Sequence, residues 1–272
     1  MRMNFKEHVI STIKNKNSAV CVGLDVEPGK IPAVLKNEKN PVLKFNQEII
    51  AATKEYTAAY KPNLAFYEQT GIKGLECFEK TLEFMGGDVI KIADAKRGDI
   101  GNTSKKYAHA FFEHFSCDAV TVSPYMGEDS ITPFLEKEDK GVFILALTSN
   151  KGSFDFQMQK MADGRYLYEF VIEKINSWNA KKNCGLVVGA THPELFEGIR
   201  KLAPDLPYLI PGIGAQGGDL ENTVKYGFVK NDVLSLVNSS RAIIFASDGP
   251  DFAERAGEEA RKLRDQINKC LK

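Results

Sequence analysis

The sequence predicts an α/β protein folded as a closed (β/α)8 TIM barrel, a single domain over residues 1–272 with an N-terminal helix capping the bottom of the barrel. Three observations support this. Short segments rich in Val, Ile and Leu alternate eight times with segments of helical periodicity. No linker or change in composition divides the chain. Eight such units in about 250 residues suit the barrel. A doubly wound open sheet is the alternative.

The elements follow in strict alternation along the chain. The predicted strands are 19–24, 58–62, one that begins at 89, 118–123, 141–147, 185–188, 208–210 and 233–237. The predicted helices are 42–57, 72–85, 102–115, one near 129–138, 165–180, 193–201, 219–226 and one that begins at 252. Because strands that alternate with helices pair in parallel, the carboxyl ends of all eight strands should meet at one end of the barrel.

Composition argues against several classes of function. The 36 basic and 36 acidic residues balance, so no overall field favours nucleic acid or an anionic membrane. The N-terminus lacks the apolar core of a signal peptide, and the longest apolar run, 142–147, is too short to cross a bilayer. Five widely spaced cysteines without a C-x-x-C pair indicate reduced thiols, not a disulfide framework or a zinc site. We expect a cytoplasmic protein.

Polar residues recur where the predicted strands end. Active sites of this fold lie on the loops at the carboxyl ends of the strands. The residues in such positions are Asp25, Lys61, Asp94, Lys96, Ser149, Gln216 and Arg241. Each alone is compatible with a strand that simply reaches water, but together they indicate a functional site.

The most informative stretch is 89–103, VIKIADAKRGDIGNT. Residues two apart on a strand point to the same side, so Asp94 and Lys96 should project together. Asp99 lies beyond Gly98, on a loop that can carry it away from the pocket of its own strand. The structural alternative is a solvated salt bridge at the end of a strand.

The string D-A-K-R-G-D-I-G-N-T, residues 94–103, resembles the signature of the orotidine 5'-phosphate decarboxylase family, D-x-K-x-x-D-I-x-x-T. Ser104 departs from the apolar residue usual at the next position. The core D-x-K-x-x-D also occurs in relatives that act on sugar phosphates, so it indicates the superfamily better than the reaction. The unbroken IGAQGGD string, 213–219, is similar to the longer bacterial-type group of the decarboxylase family.

The resemblance extends to substrate-binding motifs over nearly the whole chain. It implies that Asp25 holds the ribose 3'-hydroxyl and that Lys61, in KPN with Asn63, contacts the ribose and the neighbouring acid. It implies that Ser149 reads the pyrimidine edge, with the adjacent Thr148 as the alternative. In the loop that begins at Pro211, Gln216 would bridge phosphate and base, and Arg241 would bind the phosphate.

The activity implied is the decarboxylation of orotidine 5'-phosphate to uridine 5'-phosphate, the last step of de novo pyrimidine nucleotide synthesis. Lys96 would stabilise the carbanion and protonate it, and Asp94 would hold Lys96 in an array with Lys61 and Asp99. No metal, flavin or pyridoxal cofactor is expected. In the family, the residues corresponding to Asp99 and Thr103 reach into the partner's pocket, so a homodimer is expected.

Other interpretations of the motifs compete less well. Gly212, Gly214 and Gly217 form a G-x-G-x-x-G, but a dinucleotide site wants this motif in the first βαβ unit, and here it lies in the seventh. His109 and His114, five apart, occupy different helix faces, so no metal set is expected. Two other functions stay open: a metal-dependent sugar-phosphate aldolase or decarboxylase of the same superfamily, and a non-catalytic nucleotide-binding protein.

Overall fold

The structure, a computed structural model, describes residues 3–191, 193–213, 219–229 and 234–272. Eight parallel strands close into a barrel in chain order, and the last pairs with the first. The strands are β1 Val20–Gly23, β2 Ala59–Lys61, β3 Ile90–Arg97, β4 Ala119–Val122, β5 Gly141–Leu147, β6 Cys184–Val188, β7 Tyr208–Pro211 and β8 Ser235–Ser239. The predicted barrel is confirmed, and the open sheet is wrong.

Helices connect the strands and bury one face each against the barrel or a neighbouring helix. Within the described ranges the α-helices are α1 Phe5–Lys16, α2 Pro41–Thr53, α3 Ala65–Glu68, α4 Ile72–Met85, α5 Gly101–His109, α6 Glu128–Ile131, α7 Leu167–Trp178, α8 Phe196–Leu202, α9 Leu220–Gly227, α10 Arg241–Ile244 and α11 Phe252–Cys270. None of these helices is both long and apolar enough to cross a membrane.

Several predicted helices are not α-helical throughout. The helix predicted over 102–115 is α5 followed by a π-helical turn, Ala110–His114, and two others change as follows. The helix predicted near 129–138 is only α6 followed by a 3-10 turn, Thr132–Leu135. Pro133 lies in that turn, and proline lacks the amide hydrogen that an α-helix would require there. The helix predicted over 42–57 leaves α-geometry at Thr53 and continues as a 3-10 turn, Lys54–Tyr56.

The N-terminal helix closes the bottom of the barrel, as predicted. Its first residue, Phe5, is fully buried and packs edge-on against Phe143 of β5, with 5.7 Å between ring centroids. The Phe5 ring lies so close to Gly141, the first residue of β5, that a Cβ at Gly141 would be 2.2 Å from it. The Phe5 amide donates to the carbonyl of Glu138 at 2.9 Å, which fixes the start of α1 to the loop before β5.

We expect Phe5→Ala to lower the free energy of unfolding by about 3–5 kcal/mol, because it empties a fully enclosed ring site at the barrel bottom. Urea denaturation followed by circular dichroism measures this. The matched control is Phe84→Ala on α4, whose ring is 45% exposed and should contribute much less. Equal losses in the two variants would mean that α1 does not close the barrel in the way described.

Candidate active site

The carboxyl ends of five strands surround a cavity of about 190 Å³. Wider grooves run between the outer helices, but this cavity is at the end of the barrel where active sites of the fold lie. Its lining combines two acids, two bases, an amide and hydroxyls with backbone from the loop after β7. The lining residues are Asp25, Lys61, Asp94, Pro211, Gly212, Ile213, Asn238, Ser239, Ser240, Arg241 and Ala242.

Asp94 is the centre of a three-charge array at this cavity. The Nζ atom of Lys61 lies 2.6 Å from Asp94 Oδ2, and the Nζ atom of Lys96 lies 2.6 Å from Asp94 Oδ1. Each carboxylate oxygen therefore has its own ammonium partner. Ionised donors and acceptors at this separation form strong, charge-assisted hydrogen bonds.

The two lysines differ in their access to solvent. The side chains of Lys61 and Asp94 are 5% and 9% exposed, whereas that of Lys96 is 50% exposed. Lys61 is thus a buried counterion beneath the carboxylate. Lys96 is the ammonium group that a bound molecule can reach.

Neighbouring charges keep this array ionised despite its burial. Burial by itself would raise the pKa of Asp94, but the ammonium groups of Lys61 and Lys96 hold that pKa well below its usual range. Burial by itself would lower the pKa of Lys61, but Asp94 and Asp25 raise it above its ordinary value. Asp94 is therefore a carboxylate, and Lys61 a cation, throughout the neutral pH range.

Lys96 has an unusual backbone conformation. Its φ of +47° lies in the left-handed region, where residues other than glycine are uncommon. The register between β3 and β4 shifts between Ala93 and Arg97, so β3 bulges at this point. Strand alternation predicts that the side chains of Asp94 and Lys96 project together, and the two side chains form an ion pair. The position of Lys96, however, is set by the bulge and not by a regular strand.

Thr121 of β4 joins this array and is absent from the residues that the sequence predicts. Its hydroxyl donates to Asp94 Oδ1 at 2.9 Å and accepts the backbone amide of Lys96 at 3.0 Å. Thr121 is the one polar residue of the strand Ala119–Val122, and it is fully buried. The feature of the sequence that indicates this role is a single threonine within the apolar segment Ala119–Val122.

Asp25 contributes an acceptor without a partner. Its Oδ1 atom is buried, and no described group donates to it. The side chain of Ser240, which also lines the cavity, packs closely against β1, since a Cβ on Gly23 would be 1.8 Å from the Ser240 hydroxyl oxygen. The Asp25 oxygen is thus an acceptor available to a hydroxyl of a bound molecule.

Asn238 is one of the lining residues that the sequence does not predict. The thiol of Cys21, on the neighbouring strand β1, donates to Asn238 Oδ1 at 3.5 Å. Burial raises the pKa of Cys21 to about 12, so this thiol keeps its proton. The Asn238 side chain is therefore held from below by a protonated thiol.

The structure shows where some of the predicted phosphate-binding residues lie. Pro211 and Arg241 line the same cavity as Asp94, and the exposed Arg241 makes no ion pair with any residue that the structure describes. Gly212, with φ of +102°, turns the chain after β7. Gln216 lies outside the described residues.

The contacts of Thr148 bear on which residue of the Thr148-Ser149 pair faces a ligand. The Thr148 amide donates to Gln157 Oε1 at 2.7 Å, and the Thr148 hydroxyl bonds Asn150 and Gln157. These bonds hold Thr148 within its own loop. Ser149 is half-buried, with its backbone against Gly189 of the next loop.

Three predicted residues are not brought to the Asp94 array by their own chain. The Asn63 side-chain oxygen accepts the amide of Ala65 at 3.1 Å, although the Asn63 backbone bridges to Asp94. The Asp99 carboxylate accepts the amide of Ile100 at 2.7 Å, and among the described contacts it meets neither lysine of the array. Thr103 is exposed on α5.

Comparison with known proteins identifies the family. The family model described as "Orotidine 5'-phosphate decarboxylase / HUMPS family" matches residues 18–256. The orotidine 5'-phosphate decarboxylase of Phocaeicola vulgatus is 52% identical over 269 residues, 98% of each chain. That of Christiangramia forsetii is 51% identical over 264 residues, 96% of each chain.

A solved structure agrees with the sequence relatives. The OMP decarboxylase of Leishmania donovani superposes with a TM-score of 0.81 at 38% identity, covering 97% of this chain and 99% of that one. Fold, signature and overall similarity therefore lead to the same assignment: the chain belongs to the orotidine 5'-phosphate decarboxylase family.

Proposed function

We propose that this chain converts orotidine 5'-phosphate to uridine 5'-phosphate and CO2 without a cofactor, with Lys96 as the proton donor. The observation that carries the proposal is the shared carboxylate. Asp94 pairs with a buried Lys61 on one oxygen and with a half-exposed Lys96 on the other. The name of the relatives that share half of this sequence over almost its full length supports the same reaction.

The substrate sets a specific electrostatic problem. Orotidine 5'-phosphate carries a carboxylate on C6 of the pyrimidine and a phosphate on the ribose. Breaking the C6–CO2 bond leaves its electron pair in the plane of the ring, where the π-system cannot delocalise it. The enzyme must therefore stabilise a localised carbanion and then protonate it.

Lys96 can do both. Its ammonium group, paired with Asp94 on a half-exposed side chain, would place positive charge beside C6 as negative charge develops there. One N–H proton then moves to C6, the C6 electron pair forms the new C–H bond, and Lys96 is left as a neutral amine. Uptake of a proton from solvent restores the ammonium group. The balance is one substrate carboxylate lost as CO2 and one solvent proton gained.

Asp94 and Lys61 prepare this step. Asp94 orients Lys96, and it also faces the substrate carboxylate with like charge, a repulsion of about 4 kcal/mol at ~4 Å with an effective dielectric near 20. That repulsion is relieved as neutral CO2 departs. Lys61 compensates the buried Asp94 charge so that the carboxylate stays ionised while the substrate binds.

The remaining residues bind the rest of the nucleotide. Arg241, which has no described ion-pair partner, is the phosphate ligand, together with Gln216 and the backbone after Pro211. Asp25, whose buried Oδ1 lacks a donor, takes the ribose 3'-hydroxyl. Ser149 reads the base, which is the role implied by the resemblance to the family. Asn63 supports the ribose side.

We also propose a homodimer in which Asp99 and Thr103 complete the partner's site. Asp99 reaches neither described lysine of its own array, so within one chain the array lacks its second acid. Large apolar side chains are exposed on the loops after β3, β4 and β5: Ile100, Tyr125, Met126, Phe154 and Phe156. Tyr125 is 82% exposed although it packs on Phe156 at 6.2 Å. Exposed apolar groups at this density mark an interface.

The whole chain, 1–272, acts in this proposal as one catalytic domain, because the first and last strands line the same cavity. The direct test is the loss of orotidine 5'-phosphate absorbance with purified protein, run with and without EDTA. We expect full activity in both. Abolition by EDTA would favour the metal-dependent sugar-phosphate chemistry, and no turnover in either would favour a nucleotide-binding protein.

We expect Lys96→Ala to lower kcat by about 100-fold or more, since it removes the proton donor and the cation beside C6. Binding of uridine 5'-phosphate, measured by calorimetry, should stay detectable because the phosphate contacts are intact. Lys201→Ala, on an exposed lysine of α8, is the control. A Lys96→Ala enzyme that keeps more than about a hundredth of the wild-type kcat would remove Lys96 from this role.

Mixing Asp99→Asn with Lys96→Ala should restore activity through mixed dimers. At equal mixing about a quarter of wild-type activity is expected, because half of the dimers are mixed and each has one intact site. Lys96→Ala mixed with Asp94→Asn is the control and should stay inactive, since Asp94 and Lys96 pair within one chain. If verified subunit exchange restores nothing in the first mixture, Asp99 acts within its own chain.

Arg241→Ala should weaken uridine 5'-phosphate binding by about 10- to 100-fold, in line with the loss of a charge-assisted contact. Uridine, which lacks the phosphate, should bind equally to both proteins. Arg255→Ala, on the outer helix α11, controls for the loss of an arginine. Equal weakening for uridine and its phosphate would show that Arg241 acts on the fold of the pocket and not on the phosphate.

A further inference from the structure

The Thr121 hydroxyl forms hydrogen bonds with both members of the Asp94–Lys96 pair. It contacts the side chain of Asp94 and the backbone amide of Lys96. The Thr121 Oγ1 atom lies 2.9 Å from Asp94 Oδ1 and 3.0 Å from the Lys96 backbone nitrogen. The hydroxyl is fully buried, so water does not compete for either bond. A single oxygen of β4 thus contacts the carboxylate and the backbone of the lysine that the carboxylate holds.

The direction of both bonds follows from the chemistry of the partners. Asp94 is ionised and can only accept, so the one hydroxyl proton of Thr121 points to Asp94 Oδ1. The Lys96 backbone nitrogen can only donate, so it bonds a lone pair of the same oxygen. Serine, which is smaller by one methyl group, also has a hydroxyl that can donate one hydrogen bond and accept another. Valine matches threonine in shape and offers neither.

The bulge in β3 explains why a side chain is needed here. Ala93 pairs with Val120 and Arg97 pairs with Val122, so Asp94, Ala95 and Lys96 all lie opposite Thr121. The regular ladder has no acceptor for the Lys96 amide at this point, and Thr121 Oγ1 takes that place. Left-handed backbone at a residue other than glycine is unfavourable and persists only where the surroundings hold it.

We propose that Thr121 is a positioning residue for the decarboxylation, one that fixes the Asp94 carboxylate and the left-handed backbone of Lys96 relative to each other. This rests on the function proposed above for Lys96. Thr121 is buried beside the array and does not line the cavity. Its effect is exerted through the position of the Lys96 ammonium group.

The position of the Lys96 ammonium group is important because Lys96 transfers a proton to C6. When Lys96 gives its proton to C6, its amine loses most of its attraction for Asp94 Oδ1. The Thr121 hydroxyl continues to donate to that oxygen, and Lys61 to the other, so the carboxylate stays oriented while Lys96 regains a proton. Without the hydroxyl, Asp94 can turn and the lysine backbone can relax. A displacement of about 1 Å at a reacting group can reduce the rate by ~10²-fold.

The test compares Thr121→Val with Thr121→Ser. We expect Thr121→Val to lower kcat by about 10- to 100-fold while KM changes by less than about threefold, since the positioning of Lys96 is lost and the nucleotide contacts are kept. Thr121→Ser retains the hydroxyl and should recover most of kcat. Thr81→Val, at another fully buried threonine with two hydrogen-bond partners, controls for the change itself and should leave kcat unchanged.

If Thr121→Val does not fold, Thr121→Ser and Thr121→Ala, which differ only in the hydroxyl, replace the comparison, and the serine variant should be at least about tenfold faster. Equal kcat in the two members of either pair, or an effect confined to KM, would overturn the role of Thr121. Lys96→Ala in the same experiment separates the two proposals: if it is inactive while Thr121→Val is unchanged, only the inference about Thr121 fails.

Discussion

The Asp94 carboxylate, shared between two ammonium groups, is the interaction on which the site depends. A charged carboxylate this deeply buried is unfavourable unless it is compensated, and Lys61 and Lys96 compensate it at 2.6 Å each. Removing one partner of such a buried pair generally destabilises a protein by about 3–5 kcal/mol. Because Lys61 is enclosed and Lys96 is not, Lys96 is the ammonium group of the array that a ligand can contact.

The barrel supplies the rigidity that this arrangement requires. Each charged group extends from a different strand or from the bulge in β3, and neighbouring strands fix their separation. The left-handed Lys96 is the unfavourable element in this frame. It is retained by Thr121 on one side and by the ion pair with Asp94 on the other. The same contacts therefore hold both the left-handed backbone of Lys96 and the position of its ammonium group.

The sequence predicts the barrel and the charged residues of the cavity because these depend on periodicity and on strand ends, both of which are local. Asp25, Lys61, Asp94 and Arg241 follow from that rule. Thr121 does not, because its importance comes from a register shift between two strands, and the shift is a property of their pairing. Asn238 is hidden for a similar reason, since its partner Cys21 is 217 positions away. The helix predicted near 129–138 fails at Pro133, which the pattern of apolar residues does not take into account.

The seam between β1 and β8 also affects how the protein folds. Cys21 pairs with Asn238 across that seam, and the cavity takes residues from both strands. Contacts between the two ends of a chain form slowly, because a long loop must close before they stabilise anything. A chain in which β8 has not docked therefore contains β2 and β3, which carry Lys61, Asp94 and Lys96, but has no closed pocket above them. Under the function proposed above, nucleotide binding at this cavity should begin only when the last strand docks, so that ligand binding reports the final step of barrel closure.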